Sequence, residues 1–116
     1  MISTHVLDTA RGCPAAGVPV TLELMPATAD RAESGHEIAR AATDADGRIR
    51  ELAAHGETLG AGRYRIRFGT DAYFRALGVD AFYPEVSVVF VIEDASQHYH
   101  VPLLLSPYGY STYRGS

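Results

Sequence analysis

His98-Tyr99-His100-Val101-Pro102-Leu103-Leu104-Leu105 runs into Ser106-Pro107-Tyr108-Gly109 and then Tyr110-Ser111-Thr112-Tyr113-Arg114-Gly115-Ser116. Side chains of a strand alternate between its two faces. His98 and His100 therefore share one face, while Tyr99 and Val101 take the other and continue through Leu103 and Leu105 as an apolar stripe. Pro102 has no amide proton to donate, which predicts an edge or interface position for this strand. Ser106 to Gly109 has turn chemistry. Tyr110 to Tyr113 has strand composition again.

Working outward, the same alternation recurs along the chain. Ile2 to Leu7 predicts a strand with Ile2, Thr4 and Val6 on one side and Ser3, His5 and Leu7 on the other. Asp8 to Pro14 reads as a loop. Val18 to Met25 is half-buried in pattern, with Val18, Val20, Leu22 and Leu24 inward and Thr21 and Glu23 outward. Residues 27–35 read as a loop between strands, and His36 to Thr43 as a weaker strand. Asp44-Ala45-Asp46-Gly47 predicts a tight turn, Gly supplying a positive φ. It is too short for a calcium loop and lacks the closing bidentate acid. Arg48 to Arg50 leaves that turn as a short strand. In Arg63-Tyr64-Arg65-Ile66-Arg67-Phe68 the aromatic and aliphatic residues point in and the arginines out. Asp71 to Leu77 has helical spacing, with Thr70 or Asp71 as cap and Gly78 as stop. Glu85 to Ile92 predicts a long strand buried on much of both faces. Seven or eight short strands with one short helix, and turns at this spacing, indicate an all-β sandwich of two packed antiparallel sheets.

At 116 residues one domain spanning 1–116 is expected. A formal net charge of −4 and dispersed arginines argue against a nucleic-acid partner. No apolar run is long enough to span a membrane. The single cysteine, Cys13, excludes an internal disulfide and a multi-cysteine metal knuckle. It reads as a loop thiol. The absence of disulfides and of a leader pattern after Met1 points to the cytoplasm, if Met1 is the native start.

Three separated motifs resemble one family. Ser3-Thr4-His5-Val6-Leu7-Asp8 with Gly12-Cys13-Pro14-Ala15, the turn Asp44-Ala45-Asp46-Gly47-Arg48, and the block from His98 to Ser116 are together similar to the 5-hydroxyisourate hydrolases, transthyretin-related enzymes of urate breakdown. The final Tyr113-Arg114-Gly115-Ser116 resembles the tetrapeptide that separates these enzymes from hormone carriers of the same fold. The resemblance implies a transthyretin-like (prealbumin-like) sandwich. It also implies hydrolysis of 5-hydroxyisourate to 2-oxo-4-hydroxy-4-carboxy-5-ureidoimidazoline, without cofactor or metal, in a homotetramer. His5, Arg48 and His100 become the catalytic positions. Tyr113, Arg114, Gly115 and Ser116, with His98, become substrate-contacting ones. The apolar stripe of Val101, Leu103 and Leu105, in a strand carrying Pro102 and flanked by tyrosines, fits a subunit interface.

These residue types suit the chemistry. Imidazole, with an unperturbed pKa of ~6.5, can take a proton from attacking water near neutrality. A fixed guanidinium offers forked donors to a carbonyl oxygen gaining charge. Which of His5 and His100 acts as base is left open by the sequence. Taken singly, His5 fits a structural role and Arg48 a solvated turn. His36 and His55 receive no role. Arg114 is expected to pair with the carboxylate of Asp8 or with substrate oxygens. Two alternatives stand beside the enzyme: a transthyretin-like small-molecule binding protein without catalysis, and a zinc site built from His5, His98 and His100.

Overall fold

The computed structural model describes residues 1–26, 35–53 and 59–116. The loop expected over 27–35 lies largely outside the described residues, as does His55. Nine strands and one helix occur among those described: β1 (Ile2–Asp8), β2 (Cys13–Pro14), β3 (Pro19–Met25), β4 (His36–Ala42), β5 (Arg48–Ile49), β6 (Gly62–Phe68), α1 (Thr70–Ala76), β7 (Val86–Ile92), β8 (Tyr99–Ser106) and β9 (Gly109–Thr112). They form two sheets. One runs β2-β1-β8-β9, with β5 also paired to β1, and the other runs β4-β3-β6-β7. No described helix is long and apolar enough to cross a membrane.

The sandwich is the expected one, with a difference inside it. All pairings are antiparallel except β1 with β8, which run parallel from Ile2↔Tyr99 to Asp8↔Leu105. The core is filled by Ile2 and Val6 of β1 and Val101, Leu103 and Leu105 of β8, against Val20, Leu22, Ile66, Phe68, Val86 and Ile92. Burying each such aliphatic side chain contributes about 1.5–3 kcal/mol. That burial fixes the register, because a slip by one residue would turn the stripe to solvent and the histidines into the core.

Val101, Leu103 and Leu105 are thus core residues, not the subunit interface their pattern suggested. Pro102 is likewise misread by the edge rule. β8 is a central strand between β1 and β9, and Pro102 is buried in it. The even residues of β8 bond towards β9, as the Gly115 amide does to the His100 carbonyl (2.8 Å). Pro102 therefore withholds its donor on the β9 side. The ladder stops at Leu103↔Thr112 and resumes only at the His100↔Gly115 bridge, while the Thr112 hydroxyl donates to the Pro102 carbonyl (2.7 Å).

Three further expectations shift. Glu23 faces outward opposite Arg65 but is only 7% exposed, because Arg65 and Arg67 lie against it. Leu24, expected inside, is 40% exposed, next to a bulge at Ile38 of β4 that shifts the β3–β4 register after Leu22. β7 is an edge strand, so Val89 and Val91 are half exposed rather than buried on both faces. The helix is capped by Gly69 without a side-chain hydrogen bond. The Thr70 hydroxyl instead reaches the Tyr83 carbonyl (3.4 Å). Gly78 does stop the helix, at φ +68°, with the Gly78 and Val79 amides donating to the Arg75 and Phe74 carbonyls, a Schellman closure.

Candidate active site

The outer face of β1, β5 and β8 is where the polar residues gather. β1 turns Ser3 and His5 outward because Ile2, Thr4, Val6 and Asp8 are buried on the other side. β8 turns His100 outward by the same rule.

Arg48 reaches this face through the Asp44–Gly47 turn. The Asp44 carboxylate accepts hydrogen bonds from the amides of Asp46 (2.9 Å) and Arg48 (3.0 Å), and its carbonyl accepts one from the Gly47 amide (2.9 Å). The bond from the Arg48 amide is the main reason the Asp44 carboxyl sits below its usual range. Gly47, at φ +74°, gives its carbonyl to the Val6 amide (2.7 Å), and a Cβ there would lie 2.4 Å from the Val6 oxygen. Only glycine lets the turn dock so closely. The docking sets Arg48 directly opposite His5 across β1 and β5.

His100 is held from two sides. Its strand partner Ser3 places Oγ 2.8 Å from Nδ1, and the same oxygen lies 2.7 Å from Nε2 of His98. Gly115 packs on its other edge, where an added Cβ would come within 2.5 Å of Cδ2. Burial lowers the His100 pKa below the ordinary imidazole value, and the positive charge of Arg48 and the rings of His98 and His5 lower it further.

A cavity of about 460 Å³ opens over this face, lined in part by Ser3, Arg48, Arg50, His98, His100 and Ser116. His5 stands beside it, paired with Arg48 on one side and with Pro102 on the other. The size suits a small molecule. Two arginines and, among the described residues, no carboxylate side chain in the wall suit an oxygen-rich, electron-rich ligand.

The expected site residues thus fall into two groups. His5, Arg48, His98, His100, Gly115 and Ser116 are gathered here. Tyr113 and Arg114 face elsewhere: with Val88, Phe90, Tyr99 and Val101 they line a second cavity of about 230 Å³. Arg114 does not meet Asp8. Its guanidinium lies 4.5 Å over the Tyr99 ring and donates to the Gln97 side-chain oxygen (2.9 Å). Asp8 is buried and accepts from the Tyr73 hydroxyl (2.7 Å) and from the Ala10 and Arg11 amides. The zinc alternative needs three converging ligands, and no three of His, Cys, Asp and Glu converge so among the described residues. Ser3 received no role from the sequence, although alternation already placed it on the histidine face. Its link to both rings needs the parallel pairing, which no local pattern announces.

A transthyretin-type sandwich with a histidine–arginine cavity on one outer face defines the class. Residues 2–115 match the model of the HIUase/Transthyretin family. A probable 5-hydroxyisourate hydrolase of Caenorhabditis elegans is 48% identical over 115 residues, 99% of this chain and 81% of that one. The structure of Klebsiella pneumoniae 5-hydroxyisourate hydrolase superposes with a TM-score of 0.84 at 37% identity, covering 99% of this chain and 97% of that one. Sea bream transthyretin in complex with thyroxine superposes with a TM-score of 0.85 at 34% identity, covering 98% and 93%. The chain belongs to the HIUase/transthyretin family.

Proposed function

We propose that the protein is an enzyme that hydrolyses 5-hydroxyisourate to 2-oxo-4-hydroxy-4-carboxy-5-ureidoimidazoline. The observation that carries the reading is the His100–Arg48 pair over the cavity: an imidazole biased to its neutral form beside a guanidinium. In this reading His100 takes a proton from water as the oxygen adds to a ring carbonyl. Arg48 balances the charge that grows on the carbonyl oxygen. The ring C–N bond then breaks, and the departing nitrogen receives a proton from His5 or from protonated His100. His98, Gly115 and Ser116 contact substrate, and Tyr113 and Arg114 anchor the tail that carries Gly115 and Ser116. A carrier of an apolar hormone is the second reading, since a neighbour of equal fold similarity is a thyroxine complex. The polar wall favours the enzyme.

We also propose a homotetramer. Support comes from Val89 and Val91 on the edge strand β7 and from Tyr110 and Tyr113, all 42–58% exposed, apolar side chains that a partner subunit would cover.

Urate oxidase acting on urate generates the substrate in place, and its decay is followed by absorbance. Purified protein is expected to accelerate that decay. An unchanged spontaneous rate refutes the enzyme, and saturable thyroxine binding in its stead supports the carrier.

A further inference from the structure

The hydroxyl of Ser3 touches two imidazoles at once, and it has only one proton to give. Ser3 is 7% exposed, so the protein fixes its surroundings. Its Oγ lies 2.7 Å from His98 Nε2 and 2.8 Å from His100 Nδ1, both full-strength hydrogen-bond distances. A hydroxyl can donate to one of these nitrogens while accepting from the other. Two neutral arrangements satisfy all three groups. In one, His98 Nε2–H donates to Ser3 and Ser3 donates to His100 Nδ1, so the remaining proton of His100 sits on Nε2. In the other, His100 Nδ1–H donates to Ser3 and Ser3 donates to His98 Nε2, so His100 Nε2 is bare. The choice matters because Nδ1 is occupied by Ser3 and Cδ2 is packed on Gly115, leaving Nε2 as the nitrogen offered to a ligand. The first arrangement presents an acid to the cavity and the second presents a base.

We infer that Ser3 is a positioning residue that sets the tautomer of His100 and passes its proton to His98. This rests on the hydrolase reading, with His100 as base. When Nε2 of His100 takes a proton from the attacking water, a water O–H bond breaks and an N–H bond forms. The Nδ1 proton then moves to Ser3 Oγ as the proton already on Ser3 moves to His98 Nε2. The positive charge ends on His98, which is more exposed than His100. His100 is left neutral with its proton on Nε2 while the charge rests on His98. Before the departing nitrogen is protonated the two transfers reverse: His98 Nε2 returns its proton to Ser3 Oγ as Ser3 returns one to His100 Nδ1, so His100 gives its Nε2 proton as an imidazolium and ends neutral with Nδ1 protonated. No oxidant, metal or second reactant enters the balance. The charged and titratable groups around His100 agree with moving the charge away from it. Arg48 comes from β5, His5 from β1 and His98 from the entry to β8, with Arg50 also in the cavity wall. A cation on His100 faces this assembly, whereas one on His98 is shifted toward solvent.

The test uses the full chain with selectively ¹⁵N-labelled histidine and no substrate. In the wild type, His100 is expected to hold one tautomer with Nδ1 protonated, and His98 the tautomer with Nε2 unprotonated. Ser3→Ala should convert both rings to tautomer mixtures and lower kcat about 10²-fold with KM nearly unchanged. Ser3→Thr, which keeps the hydroxyl, should restore the tautomers and most of kcat. A wild type in which His100 is already an even tautomer mixture overturns the inference, whether or not any variant folds. So does Ser3→Ala with wild-type kcat and an unmoved pH profile. If the wild type itself leaves 5-hydroxyisourate untouched, the hydrolase reading fails instead, and the nitrogen shifts alone decide whether Ser3 orders the two rings.

Discussion

The two outer faces of the sandwich are both rich in charge, and they use it in opposite ways. On the β4-β3-β6-β7 sheet the charges are matched. Glu23 lies 2.6 Å from Arg65 and 3.6 Å from Arg67, Arg67 reaches Glu85 at 3.1 Å, and Arg40 pairs with Glu37 at 2.8 Å. On the opposite sheet the Arg48 guanidinium forms no ion pair among the described residues; Asp44 accepts from its backbone amide, and the cavity beside it holds histidines. A matched face spends its electrostatics on holding the fold. An unmatched one keeps its field for a ligand. From residue types alone the alternating arginines of β6 are as conspicuous as Arg48, so it is the absence of a partner that separates the site from the scaffold.

The contrast is broken most directly by removing its unmatched members. His100→Ala, Arg48→Ala and His5→Ala should each keep the wild-type melting temperature within a few degrees and lose about 10²–10⁴-fold in turnover. Near-normal turnover of any one variant would put that residue outside the site. On the matched face the expectation inverts. Glu23→Ala leaves Arg65, whose side chain is 12% exposed, without its carboxylate. It should cost about 3 kcal/mol in denaturant unfolding while turnover stays unchanged. A loss of activity at equal stability would mean that the two faces communicate.

Gly115→Ala sharpens the comparison by touching only the support of the site. Its Cβ would meet His100 Cδ2 at 2.5 Å, so the ring must leave the position in which it bonds Ser3. Turnover should fall by about 10²-fold, as for a misplaced catalytic group, with little change in stability. The smallest effect is on pH. Because burial and then Arg48 depress the His100 pKa, its base form persists into mild acid, and the acid limb of kcat/KM should lie below ~6.5. The sign for stability follows from the same depression. The contribution of neutral His100 is present above the unfolded pKa and is lost as pH falls through the folded one. Thermal unfolding of wild type and His100→Gln at pH ~5 and ~7.5 should therefore differ in acid sensitivity, the wild type losing more.

Much of the fold is written in local pattern. The alternations of β1, β6 and β8, the Asp44–Gly47 turn and the Gly78 helix stop each depend on neighbours within a few residues, and all appear where the sequence puts them. What escapes is non-local. Pro102 is tolerated in a central strand because its missing donor faces the short strand β9, which simply interrupts there. Glu23 is buried by side chains that arrive from β6. Arg114 finds the Tyr99 ring and Gln97 before it finds any carboxylate. In the candidate site, His5, Arg48 and His100 were visible as residue types. The hydroxyl joining His98 to His100 was not, since Ser3 gains its importance only from the strand laid beside it.

The parallel contact of β1 with β8 also has a temporal meaning. The Thr4 hydroxyl bonds to the Val101 carbonyl across a sequence separation of 97 residues, and Ser3 meets His100 across the same span. Contacts of such length form slowly, because the intervening chain must be closed into a loop before they return any energy. On a ribosome, β1 precedes β8 by most of the domain, so after β2 and β5 have paired with it the edge that β8 will cover still waits uncovered. During that wait it is open to pairing with another nascent chain. The His5–Arg48 half of the site can form as soon as β5 is made, but His100 joins only after β8 appears. The His100 half of the site would thus be completed only once β8 is made, and a chaperone that shields β1 until then would raise the yield of folded protein more than one that acts later.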